Sequence, residues 1–235
     1  MKRAPVVLMM AIFLGSCSPK LEESRGVATE HMVIDSLLRR AIEQERSNAA
    51  SGYETARRGL ELASTVGTLA QRAQLSGSLL YHAVQLDSMA LYASLEPGVL
   101  LLFDSLGDGA MLARHLRRMG DTHYRRTMHA PSLAYYDRSM EVARTAGATL
   151  ELAETMSSLG SLLLETAAID EALTMQRSAL RILDSLGVDS LPRIRVMSNL
   201  GYAHYWAGQP DSAILNYSNA ITALGKLNRC LHGTC

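Results

Sequence analysis

Aromatic residues make up only 5% of this 235-residue chain, with one Trp and two Phe. Runs of β-branched residues are missing too, and without them strands have little to pack with. Leu, Ala, Met and Arg are abundant instead, and all are good helix formers. The reading is therefore all-α beyond the N-terminus. Charge of one sign is lacking, because 23 basic residues are matched by 23 acidic ones. A neutral chain does not carry the electrostatic footprint of a nucleic-acid binder. Prolines number only six, and hydrophobic residues reach 48%, which excludes a disordered composition. The three cysteines are too few for a disulfide scaffold. The longest N-terminal apolar run, Val6 to Leu14, is too short to span a bilayer.

That run follows Lys2 and Arg3, and the combination reads as a secretory signal, outside the folded domain. It ends in Leu14-Gly15-Ser16-Cys17, which resembles the lipobox of bacterial lipoproteins. The resemblance implies cleavage before Cys17 and acylation of that residue, hence a bacterial envelope location with a membrane anchor. Several acyl chains anchor stably, since each buried methylene contributes about 0.8 kcal/mol. Ser18 in place of an aspartate favours the outer membrane under the same resemblance. The organisation read from the chain is a signal peptide at 1–16, a lipidated linker at 17–32, a helical domain at 33–228 and a tail at 229–235. Cys230 and Cys235 in the tail, with His232, supply too few ligands for a closed zinc site. No metal or other cofactor is expected.

Small residues recur at helical spacing. In 194–227 they are Gly201, Gly208, Ala213 and Ala220, with Leu200 and Tyr217 between. A small residue on one helix opposite a small residue on the next lets two backbones approach. Residues 153–186 repeat the marks with Leu159, Gly160, Ala172 and Ala179, and 113–146 with Met119, Gly120 and Tyr136. There Ser132 and Ser139 replace the alanines. Residues 71–104 keep Ser78, Tyr81 and Ala90, and 33–66 are the most degenerate. Glycines at 67, 107, 147 and 187 fall at equal intervals of 40, where helices would end in a left-handed turn. Pro97-Gly98 predicts a kink or break near Leu95.

These marks resemble the tetratricopeptide repeat (TPR), a 34-residue helix–turn–helix unit. The resemblance implies a right-handed superhelical solenoid of about five repeats with a period near 40. It also implies a concave face lined by the first helix of each pair, helix A. On that face it places Arg72, Leu75, Leu79, His82 and Ala83; Arg114, Arg117, Asp121, Tyr124 and Arg125; Glu154, Ser157, Ser161, Leu164 and Glu165; and Arg195, Ser198, Tyr202, Tyr205 and Trp206. The residues selected as a peptide-binding groove are Arg72, His82, Arg114, Arg117, Asp121, Tyr124, Arg125, Arg195, Tyr202 and Tyr205. Arginines read carboxylates bidentately and Tyr offers flat apolar area, so an extended acidic or aromatic peptide is the expected ligand. The family's carboxylate clamp is not expected, because Leu37 and Ala41 stand at its positions.

No nucleophile elbow, phosphate loop or metalloprotease motif is present. His115 and His123 lie eight residues apart, too far for one metal ion. The chain reads as a non-enzymatic protein- or peptide-binding scaffold. The alternative is the sensor portion of a larger membrane-bound regulator. The last repeat ends without a polar cap, which leaves self-association, a protein partner or a further region as ways to cover it.

Overall fold

A computed structural model describes residues 19–45, 47–187 and 191–231. The signal-peptide and Cys17 readings, and the tail from His232 onward, lie outside these residues. Ten helices and no strand occur among those described. They run α1 (Pro19–Glu43), α2 (Ala49–Val66), α3 (Leu69–Gln85), α4 (Met89–Leu106) and α5 (Gly109–Arg125). There follow α6 (His129–Thr145), α7 (Thr149–Glu165), α8 (Ile169–Ser185), α9 (Leu191–Trp206) and α10 (Pro210–Leu231). The all-α solenoid of five helical pairs is thus the observed fold. The first helix begins at Pro19, so the stretch assigned to a linker is helical from there on.

Consecutive helices pack side by side, and the odd-numbered ones also touch each other in series, α1 to α3, α5, α7 and α9. The even-numbered helices stand farther apart, and where α4 and α6 meet it is through long side chains, Tyr135 reaching Tyr92 and Glu96. A stack that is close on one side and splayed on the other must curve, with the odd helices inside. The concave face therefore belongs to helix A of each pair.

Local chemistry sets the boundaries. Thr68 and Gln71 form a reciprocal capping box at the start of α3, and Asp108 accepts from the Met111 amide at the start of α5. Gly107, Gly147 and Gly187 take positive φ as the spacing predicts. Gly67 does not: its φ of −75° is extended, because Thr68 caps the next helix at once. Glycine is required there for space, since a Cβ would lie 2.5 Å from Ala63. Pro97 does not break its helix either, and α4 runs unbroken through it.

The paired small residues work as close-approach points. A Cβ on Gly160 would meet the Gln176 amide at 2.7 Å, and one on Gly201 would meet the Tyr217 ring at 3.2 Å. Where serine replaces alanine, the hydroxyl finds a backbone carbonyl on the facing helix. Ser132 donates to the Gly120 oxygen at 2.9 Å and Ser139 to that of Ala113 at 2.8 Å. A buried hydroxyl left without such a partner would cost about 1–3 kcal/mol.

The second pair departs from this scheme. Because α3 and α5 start 40 residues apart, Leu80 holds the place of Gly120 and Glu96 that of Tyr136. The 71–104 register is therefore displaced by two residues. That shift moves two of the groove residues. Arg72 stands at the register of Leu112, which packs in the core, and is half-buried. His82 is fully buried against Gly52, its Nε2 bonded to the Ala41 carbonyl at 3.2 Å. Neither lies in line with Arg114.

Candidate functional site: the concave face

The remaining groove residues come from α5 and α9, and their helical spacing turns them to the inner curve. Arg117 is the centre of the arrangement. It is only 8% exposed. Its guanidinium bridges Asp121 at 3.1 Å on its own helix and Glu154 at 2.8 Å on α7. Glu154 also receives Arg195 of α9 at 2.8 Å. Asp121 in turn accepts a hydrogen bond of 2.8 Å from the Tyr136 hydroxyl. One chain of charges thus ties α5, α7 and α9 together. Arg114 pairs with Glu151, another carboxylate of α7. The arginines were expected to stand free for an acidic ligand. Three of them instead carry internal carboxylates, because the acidic residues of α7 come up one repeat later on the same face.

A second cluster continues the row toward the N-terminus. Arg118 pairs with Glu45 in the turn after α1. The Arg118 and Arg125 guanidiniums sit 5.8 and 5.6 Å from the centre of the Tyr81 ring. Arg125 donates to the Tyr81 hydroxyl at 2.9 Å and to Thr122 at 3.3 Å. It has no carboxylate within ion-pair distance among the described residues. Glu45, Tyr81, Arg117, Arg118, Asp121, Arg125 and Arg195 enclose an open pocket of about 170 Å³.

Toward the C-terminus the face becomes aromatic. Tyr202 and Trp206 meet edge to face at 6.1 Å and line a cleft of about 250 Å³ with Leu164, Glu165 and Ile169. Tyr124 donates to Glu165 at 3.2 Å. Burial, followed by the neighbouring carboxylate, pushes the Tyr124 phenol up to about 12. Tyr205 is largely exposed, meets Trp206 edge to face at 6.1 Å and does not line that cleft.

Glu45, Tyr81, Arg118 and Glu151 are the site residues that sequence reasoning left out. A signal for one of them exists: Arg114 to Glu151 and Arg117 to Glu154 are both separated by 37 residues, close to one period. The face can offer hydrogen bonds of both polarities, one guanidinium without an acidic partner, and flat aromatic area. No group of three or more metal-binding side chains occurs among the described residues.

Known proteins bear on this geometry in three ways. Residues 111–185, covering α5 to α8, match the profile of the tetratricopeptide repeat family. No curated protein matches the chain in sequence. Among solved structures, the chain is similar to BtubC (BKLC) from P. vanneervenii, with a TM-score of 0.62 and 16% identity over 87% of this chain and 92% of that one. It is similar to RapI in its apo form, with a TM-score of 0.62 and 14% identity over 88% of this chain and 58% of that one. The TPR-like repeats of a Podosopora anserina protein described as a kinesin light chain give 0.60 and 10% over 83% and 96%. At these identities the likeness establishes the fold, a tetratricopeptide-type solenoid.

Proposed function

We propose that this tetratricopeptide-type solenoid is a non-enzymatic scaffold that holds an extended segment of a partner protein along its concave face. The observation that carries this reading is the continuous row from Tyr81 and Arg125 through Arg117 and Glu154 to Tyr202 and Trp206. Its polar groups are matched to one another in ion pairs and hydrogen bonds, which is a docking surface and not an arrangement that activates a nucleophile. The internal carboxylates change the expected ligand. A purely acidic peptide would have to compete with Asp121, Glu151 and Glu154 for the arginines. A segment with one carboxylate for Arg125 and an aromatic or aliphatic residue for the Tyr202–Trp206 cleft fits the face better.

In the same reading, Cys17 is acylated and tethers the solenoid to a bacterial envelope membrane, with Ser18 directing it to the outer one. The support is the order of Lys2-Arg3, the apolar run and the lipobox-like 14–17 segment. Association of two copies through the exposed apolar face of α10 belongs to this reading as well.

The test is capture of envelope proteins on the full chain, read by mass spectrometry, with Arg125→Ala/Tyr202→Ala as the control. Both residues are exposed, so the variant folds. A partner held by wild type and lost by the variant is the expected result. Equal retention by a correctly folded variant sinks the groove. For the anchor, labelled palmitate is expected to enter wild type and not Cys17→Ala; an unlabelled wild type would refute it.

A further inference from the structure

The contact of α3 with α5 lacks a carboxylate that the contact of α5 with α7 has. The three helices begin 40 residues apart, so the side chains at one contact match those at the other position by position. Arg114 and Glu151 become Gln74 and Met111, which still meet, the Gln74 amide donating to the Met111 sulfur at 3.8 Å. Arg117 and Glu154 become Gly77 and Arg114. A long cation is deleted there, and a cation takes the place of the carboxylate. Thr155 donates to the Glu151 carbonyl at 2.7 Å and shares a hydrogen bond of 2.9 Å with Ser139. Its counterpart is His115, whose Nε2 is buried without a hydrogen-bond partner. Beside it lies a cavity of about 80 Å³. Phe103, stacked on the His115 ring at 4.4 Å, and Arg118 complete its wall. Glycine at 77 makes the room, since a Cβ there would lie 2.9 Å from the His115 Nδ1.

We propose that this cavity binds a small organic carboxylate, which supplies from outside the acidic group that Glu154 supplies one repeat later. Charge selects the class. Two guanidiniums line the cavity, and no carboxylate does so among the described residues. Arg114 gives one nitrogen to Glu151 and Arg118 one to Glu45, and a guanidinium has five N–H donors to share. The Gln74 amide, with only a sulfur for a partner, adds another donor. Burial, followed by the Arg118 charge, pushes His115 down to about 3. At neutral pH the ring is therefore a neutral hydrogen-bonding group and not a third cation. Size and polarity narrow the class further. One water needs about 10–15 Å³, so the space takes a molecule of several heavy atoms. Phe103 and Met111 offer an apolar wall for a short alkyl end, which an inorganic oxyanion would leave unmatched. Arg114 is half exposed and puts the cavity within reach of solvent.

Titration of the full chain with sodium propionate at pH 7, read by the imidazole nitrogen NMR signals, is the test. The His115 signals are expected to shift saturably at millimolar propionate, while those of His123 and His204 stay in place. Arg114→Met, on a half-exposed position, should retain its circular dichroism spectrum and weaken binding by about tenfold or more. Gln74→Leu, which breaks no ion pair, is the second variant and should weaken it by a smaller factor. Inorganic phosphate should move His115 far less at the same concentration. A His115 signal that does not saturate overturns the proposal, as do equal shifts at all three histidines or folded variants that bind like wild type. Phosphate binding as tightly as propionate overturns the carboxylate assignment. None of these results touches the concave-face reading, because Arg125 and Tyr202 do not line this cavity.

Discussion

A Cβ placed on Gly120 would lie 2.5 Å from the ring of Tyr136, a side chain that is itself fully buried. The ring is locked by its hydrogen bond to Asp121, so it cannot step aside. The same helix-pair contact is made by Gly160 on Gln176, which is buried and hydrogen-bonded to Ser157 at both ends of its amide, and by Gly201 on the partly exposed Tyr217. A graded outcome follows for Gly→Ala at the three sites. Alanine gains about 1 kcal/mol of helix propensity everywhere, and overpacking costs about 1–3 kcal/mol where the neighbour is rigid. Gly120→Ala and Gly160→Ala should both lower stability, and Gly201→Ala, against a partly exposed ring at 3.2 Å, should change it least. Urea unfolding of the three variants checks the order. Equal effects at all three would mean that the pair contacts are not set by these side chains.

Arg117 shows why a groove residue can be a structural one. Removing it leaves Glu154 and Asp121, both shielded, with one partner fewer. Exposed pairs contribute about 0–1 kcal/mol, whereas breaking a buried pair costs about 3–5 kcal/mol. Arg117→Ala falls between, at about 1–3 kcal/mol, and Arg195→Ala near the exposed limit. A double-mutant cycle of Arg117→Ala with Glu154→Ala should return a clear coupling energy. Additive losses would show that the bridge contributes nothing.

The repeat was legible because glycine marks it twice, at the helix ends and at the close approaches. Gly107, Gly147 and Gly187 needed no structure to be placed. Legibility failed in the second pair, where Leu80 and Glu96 replace both marks of the helix contact. The register then rested on Ser78 and slid by two, carrying Arg72 and His82 onto the concave face. The ion pairs were hidden for a different reason. Arg117 and Glu154 meet only because α5 and α7 stack, and stacking is a property of the solenoid, not of either helix. Arg72 and Arg114 look alike in sequence, but two residues along a helix amount to about 200° of rotation.

Three histidines should make the fold acid-sensitive. His82, His115 and His123 are buried, and desolvation holds each below its ordinary value, His115 down to about 3. Arg118 adds to the shift at His82 and His115. For His123 the Glu96 charge opposes the burial. The unfolded chain takes up protons below about pH 6.5, while the folded chain stays neutral there. Stability is therefore full above that pH and falls as pH drops toward the folded values. The slope is about 1.4 kcal/mol per pH unit for each histidine. Denaturant unfolding between pH 7 and pH 4 checks this, and His115→Gln should flatten the slope by one histidine's share. A stability that holds level across that range would mean the three rings are protonated in the fold.

The turn inside each of the last four pairs sets the last prediction. Its left-handed residue is Asp87, Thr127, Ala167 and Gly208 in successive repeats, with φ between 56° and 68°. Only the last is glycine. An L side chain in that region meets the following carbonyl and costs about 1–2 kcal/mol, and β-branched threonine is the worst placed. Thr127→Gly and Ala167→Gly remove that cost but add entropy to the unfolded chain, worth about 0.4–1 kcal/mol. The net expectation is a gain of up to about 1 kcal/mol at each site, larger at Thr127. Gly208→Ala should lose a similar amount. Thermal unfolding of the three variants decides it, since a fall in midpoint for both glycine variants would mean that these turns are held by contacts of the replaced side chains.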